Sequence, residues 1–100
     1  MHAERAPLDR DAFQALSALC ADLDAIRLAM PRAAGACYHA TSAFASAFHD
    51  PTAERWSHAA TVSALVLRRS VGVEVAEAAA ARRRLAAFVA ENPDLLGPHE

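Results

Sequence analysis

Four side chains near the middle of the sequence have the chemistry of metal ligands. His49 and Asp50 are adjacent, and Glu54 and His58 follow at a spacing of one helical turn. Imidazole nitrogens and carboxylate oxygens bind zinc and other divalent ions. Asp50 before Pro51 is, however, also a strong signal for the start of a helix, and an acidic residue in the first turn is favoured by the helix dipole. We therefore predict no metal site.

The serines and glycines do not form a catalytic pattern. The serines lie in alanine-rich segments without a nucleophile elbow, and the three glycines are too far apart to form a phosphate-binding loop. Paired catalytic carboxylates would need a pocket, which two alanine-lined helices do not provide. We predict no catalytic residue, no cofactor and no enzymatic activity.

Arginines are concentrated in the second half of the chain. Arg68 and Arg69 precede a second cluster by about four helical turns, and that cluster consists of Arg82, Arg83 and Arg84. On one continuous helix these residues share a face, which could follow a phosphate backbone. An intracellular helical regulator that contacts DNA through this face is therefore the alternative function. The net charge of −2 instead favours pairing of these arginines with the aspartates of the first half or with a protein.

Apolar residues indicate the helices that must position these groups. From residue 16 to residue 47 they recur at alternating spacings of three and four, as Leu16, Leu19, Leu23, Ile26, Met30, Ala33, Cys37, Ala40, Phe44 and Ala47. This spacing is typical of a long helix packed along other helices. With Asp9 as the N-cap, it predicts a first helix over 9–49. Pro31 predicts a kink, because no spare residues are available to reverse the chain there.

A second helix is predicted over 51–91. It starts at Pro51 after a chain reversal at His49 and Asp50, and it ends at Asn92 before a loose tail over 93–100. Residues 70–75 alternate with the period of a strand, but a strand there would have no partner in the chain, so we predict a kink at Gly72.

These elements predict a single all-α domain over 1–100, folded as a long antiparallel two-helix hairpin. Two helices of about 40 residues form a rod about 60 Å long, which leaves apolar surface uncovered. We therefore predict that the hairpin pairs with a second copy, or with a homologous chain, into a four-helix bundle. The predicted interface residues are Leu16, Leu23, Met30, Tyr38, Phe44, Trp56 and Val66.

Trp56, placed just after the reversal, carries a resemblance to a known family. The chain resembles the small type VII secretion substrates of the Trp-x-Gly family, with Trp56-Ser57-His58 at the motif position and histidine in place of glycine. The resemblance implies a helical hairpin that pairs into a four-helix bundle and is exported without a cleavable signal peptide.

Composition supports a bacterial, non-membrane protein. Alanine is abundant and lysine is absent, which is typical of GC-rich bacterial genomes. Residues 1–9 lack an apolar core of signal-peptide length, and the uncharged run over 33–48 is too short and too polar to span a membrane. We predict a protein that is cytoplasmic or is exported without a cleavable signal.

Overall fold

The computed structural model describes residues 8–91, and every regular element in that range is helical. The elements are α1 (Arg10–Ala29), a 3₁₀ turn (Pro31–Ala33), α2 (Ala34–His49), α3 (Ala53–Arg69) and α4 (Ala76–Glu91). The all-α prediction is confirmed. None of these helices combines the length and the apolar character needed to cross a membrane. The predicted tail over 93–100 lies outside the described residues.

The first predicted helix begins as expected but does not continue past residue 29. Asp9 caps α1, its side chain accepting a hydrogen bond from the Ala12 amide at 2.8 Å. At Met30 the backbone leaves the helical region (φ −134°, ψ 86°), and Pro31 starts the 3₁₀ turn. The prediction of one kinked helix is therefore wrong. The compact turn, closed by an Ala33 N–H to Met30 C=O hydrogen bond of 2.8 Å, reverses the chain without extra residues.

The second predicted helix is also divided, and the prediction of one helix over 51–91 is wrong. Ser70 ends α3, where its hydroxyl donates to the Val66 carbonyl at 2.7 Å. Gly72 then adopts a φ of +84°, a left-handed conformation that glycine reaches without steric cost. The chain turns here and re-enters a helix at Ala76, so the expected kink at Gly72 is a full interruption.

The four helices pack in the cyclic order α1, α2, α3, α4 and back to α1. Arg55 near the start of α3 reaches Ser46 near the end of α2, so these two helices run antiparallel, and Arg84 of α4 reaches Asp22 of α1. The chain measures 48 × 31 × 22 Å rather than forming a 60 Å rod. A four-helix bundle thus forms within one chain, by two additional chain reversals.

The core lies along the bundle axis and is rich in alanine, so the helices approach closely. Its buried members are Leu19, Leu23, Ile26, Ala33, Ala36, Cys37, Ala40, Ala43, Phe44, Ala59, Val62, Val66, Ala81 and Leu85. Phe44 occupies the junction of three helices, with its ring edge-on to Trp56 (centroids 6.4 Å apart) and to Phe88 (5.8 Å).

Candidate functional site

The four candidate metal ligands do not converge. Asp50 does not cap α3; Thr52 does, its hydroxyl accepting from the Arg55 amide at 3.1 Å. The Asp50 carboxylate instead pairs with the Arg55 guanidinium at 3.3 Å, and His49 Nδ1 lies 3.0 Å from the carbonyl of Ala45. Within residues 8–91 no group of three or more His, Cys, Asp or Glu side chains is placed to hold a metal ion.

The predicted common face of arginines does not exist, because α3 and α4 are separate helices. Arg82 reaches back to the end of α3, donating to Ser70 Oγ and to the Leu67 carbonyl, each at 2.8 Å. Arg84 donates three hydrogen bonds to Asp22, the shortest 2.8 Å. Of the five predicted arginines, three make no side-chain hydrogen bond or ion pair with another described residue: Arg68, Arg69 and Arg83.

The Arg84–Asp22 pair gives a direct stability prediction. Arg84→Gln should lower the melting temperature by several degrees, because the Asp22 side chain is only 12% exposed and would lose its partner. Arg83→Gln is the matched control, since it removes the same charge from an exposed neighbouring position. Melting curves followed by circular dichroism test this; equal midpoints for the two variants would show that the pair contributes nothing.

Most of the predicted interface residues belong to the chain's own core. Leu23, Phe44 and Val66 are at most 1% exposed. A second group is half-buried and packs against the core: Leu16, Met30 and Trp56. Tyr38 is the only one of the seven predicted residues that is mostly exposed, at 58%. The Arg27 guanidinium lies 5.3 Å from its ring centroid. Burial within one chain accounts for six of the seven, and Tyr38 indicates where a second chain could still bind.

A shallow surface groove runs past Tyr38 between α2 and α3, and we call it the α2–α3 groove. Its lining residues are Gly35, Ala36, Tyr38, His39, Ser42, Ala43, Ser46, Glu54, Arg55, His58, Val62, Leu65 and Arg69. The two ends differ in charge. Arg69 lies at the Gly35 end, whereas Glu54 lies at the opposite end, where Arg55 is already neutralised by Asp50.

A second groove, the α1–α4 groove, lies between α1 and the start of α4. It is lined by Ala21, Asp24, Ala25, Leu28, Ala29, Val75 and Glu77. Leu28 and Val75 are 71% and 52% exposed, although both are large aliphatic residues. The sequence contained one signal for this site: Leu28 lies off the heptad positions Ile26 and Met30, so the core pattern does not account for it.

The two cysteines should differ in reactivity. Burial raises the pKa of the Cys37 thiol from its ordinary value of 9.0 to about 11, and burial, with a smaller contribution from Asp24, also raises the pKa of Cys20. Cys37 is 1% exposed and Cys20 is half-buried. Iodoacetamide near pH 8 should therefore modify Cys20 in the folded protein and Cys37 only after denaturation. Peptide mass spectrometry measures the modification of each cysteine.

The same pKa shift predicts the direction of a pH effect. Between pH 9 and about 11 the Cys37 thiol ionises in the unfolded chain but stays protonated in the folded one. The unfolded state then binds fewer protons, so stability should fall as the pH rises through this window. Cys37→Ala should reduce that fall, whereas an unchanged pH dependence would contradict the assignment.

No protein-family model, curated protein or solved structure matches this chain. The fold and its surface therefore define the class: over the described residues the chain is an all-α four-helix bundle whose surface includes the α2–α3 and α1–α4 grooves.

Proposed function

We propose that this protein is a non-enzymatic protein–protein interaction module that pairs with a second copy through the α2–α3 groove. The observation that carries the proposal is the order of charge along the groove, with Arg69 at one end and Glu54 at the other. A two-fold axis that lies in the interface and crosses the groove at right angles brings Glu54 opposite Arg69 of the partner subunit. The symmetry makes this contact twice.

The shape of the groove supports close approach of a second copy. Ser42 and Ala43 near its middle are small, and Ser42 lies near the point that the two-fold axis would cross. Exposed ion pairs stabilise by only about 0–1 kcal/mol each, so the two charge pairs would set the orientation. Burial of the exposed Tyr38, with a smaller contribution from the partly buried Leu65, would supply most of the free energy.

The resemblance to type VII secretion substrates supports a second proposal, in which the partner is a different chain. It predicts a homologous helical-hairpin chain as the partner, together with export without a cleavable signal peptide. Co-expression with such a chain, followed by size-exclusion chromatography, distinguishes a mixed pair from a pair of identical copies.

Sedimentation equilibrium in the micromolar range tests the pairing. We expect a dimer for the unmodified protein and a monomer for Ser42→Arg, because the substitution brings two bulky like charges together at the two-fold axis. Ser17→Arg, at an exposed position of α1 outside the groove, is the control and should remain dimeric. A monomeric unmodified protein throughout this range would contradict the proposal.

A charge exchange tests the orientation. Arg69→Glu and Glu54→Arg should each weaken the dimer, because each places like charges opposite one another. The double variant should recover most of the affinity, since the pairs re-form with reversed sign. If the double variant is weaker than both single variants, the assumed two-fold arrangement is wrong even if a dimer forms.

The alternative function, in which the protein contacts DNA, predicts a different result. It requires steeply salt-dependent binding of duplex DNA, since each neutralised phosphate releases a counterion. With Arg82 and Arg84 engaged within the chain, we expect no such binding at physiological ionic strength. Binding that is lost when Arg82, Arg83 and Arg84 are changed to glutamine would favour the alternative.

A further inference from the structure

The α1–α4 groove shares no lining residue with the α2–α3 groove of the proposed dimer interface. We propose that this groove binds a basic amphipathic helix of a partner protein. On the α1 side, alanines recur at one-turn intervals, at Ala21, Ala25 and Ala29. Small side chains in this row allow the backbone of a third helix to approach closely, much as the bundle's own helices do.

Two large aliphatic side chains supply the apolar contact. Leu28 of α1 and Val75, just before α4, line this groove and are more than half exposed. Exposed large apolar residues scattered singly are ordinary on protein surfaces, but here two of them share one concave site. Covering both would remove apolar surface from water, which favours binding.

The charges beside the groove select the sign of the partner. Glu77 forms no ion pair with another described residue, and Asp24 accepts from Arg27 through Oδ1 only. The Arg27 guanidinium pairs with Asp24 at 2.8 Å and lies over the Tyr38 ring, whereas Arg84 forms its ion pair with Asp22 and interacts with Glu77 only over a longer distance. The groove therefore presents the Glu77 carboxylate and the second oxygen of Asp24 around an apolar floor, which complements lysine or arginine beside an apolar stripe.

The length of the groove sets the size of the contact. Residues 21–29 span about 12 Å along α1, or roughly two helical turns. A partner helix that fills this length presents apolar anchors at positions i, i+3 or i+4, and i+7, with basic residues on either side of that stripe. The anchors would contact Leu28, Val75 and the alanine row.

A synthetic peptide tests the proposal with defined chemistry. The probe is a fluorescein-labelled amphipathic helix of about 18 residues, long enough to form in contact with a surface, with leucine on one face and lysine on the other. In an anisotropy titration we expect saturable binding in the micromolar range that weakens as salt is added. A peptide with glutamate in place of every lysine should not bind.

Matched variants locate the binding site. Leu28→Ser should weaken binding by about tenfold, which corresponds to about 1.4 kcal/mol. Glu77→Gln should weaken it by about two- to fivefold, because an ion pair at an exposed position contributes less. Phe13→Ser and Asp11→Asn are the controls, because they make comparable changes at exposed positions of α1 outside the groove. Absence of saturable binding, equal binding of the acidic peptide, or equal effects of groove and control variants would each overturn the proposal.

The peptide experiment is independent of the dimer. Ser42→Arg, expected to be monomeric, should bind the peptide as the unmodified protein does, because Ser42 does not line the α1–α4 groove. Loss of peptide binding in this variant would show that the peptide occupies the α2–α3 groove instead, and would contradict the assignment to α1–α4.

Discussion

Replacing Leu23 with aspartate is expected to unfold most of the protein at room temperature. Leu23 is 1% exposed and belongs to the core, so the new carboxylate would be buried without a partner. Burial of an unpaired charge costs several kcal/mol, a large part of the stability of a small domain. Urea unfolding followed by circular dichroism measures the loss.

Ser17→Asp is the matched control for this substitution. Ser17 is on the same helix, and its side chain is exposed, so the same new charge should change stability by no more than about 0.5 kcal/mol. If the two variants had the same unfolding midpoint, the buried face of α1 would be assigned incorrectly.

Phe44→Ala is expected to cost about 3–5 kcal/mol, the usual range for removing a buried aromatic side chain. The Phe44 ring contacts the edges of Trp56 and Phe88, so its loss leaves a cavity where three helices meet. The emission of Trp56, the only tryptophan, should shift to longer wavelength as that cavity admits water.

The dependence on protein concentration distinguishes two explanations for the loss of stability in Phe44→Ala. The sequence predicted Phe44 as an interface residue, whereas the structure buries it within one chain. A core role makes the loss of stability independent of protein concentration, while an interface role makes it grow on dilution. Phe13→Ala, at a position 60% exposed, is the control and should cost less than about 0.5 kcal/mol.

The candidate surfaces were only partly predictable. Tyr38 was identified from its sequence position, and it does line an open groove. Glu54 and Arg69 are both on α3, so their order along that helix could be read from the sequence, whereas their place in one open groove could not, because it depends on how the four helices pack. Arg82 and Arg84 were misassigned for the same reason: their partners, Ser70 and Asp22, are brought near them by the turn at residues 70–75.

What the sequence determined was the type of element and the face that each element buries. Helical periodicity is a local property, and a side chain in the apolar row is buried whichever helix covers it. Leu19, Leu23, Ile26 and Phe44 are accordingly all buried. The Asp9 cap was also predictable, because it depends only on the three residues that follow.

The tertiary structure alone decided where the chain reverses. The three-and-four spacing continues through Pro31 without a shift, since α2 buries its own apolar row as α1 does. A proline is compatible with either a kink or a turn, and Gly72 is compatible with either a soft helix or a left-handed turn. The choice depends on how much apolar area is buried when all four helices pack together. That area comes from residues distant in the sequence, so the local sequence pattern does not reveal it.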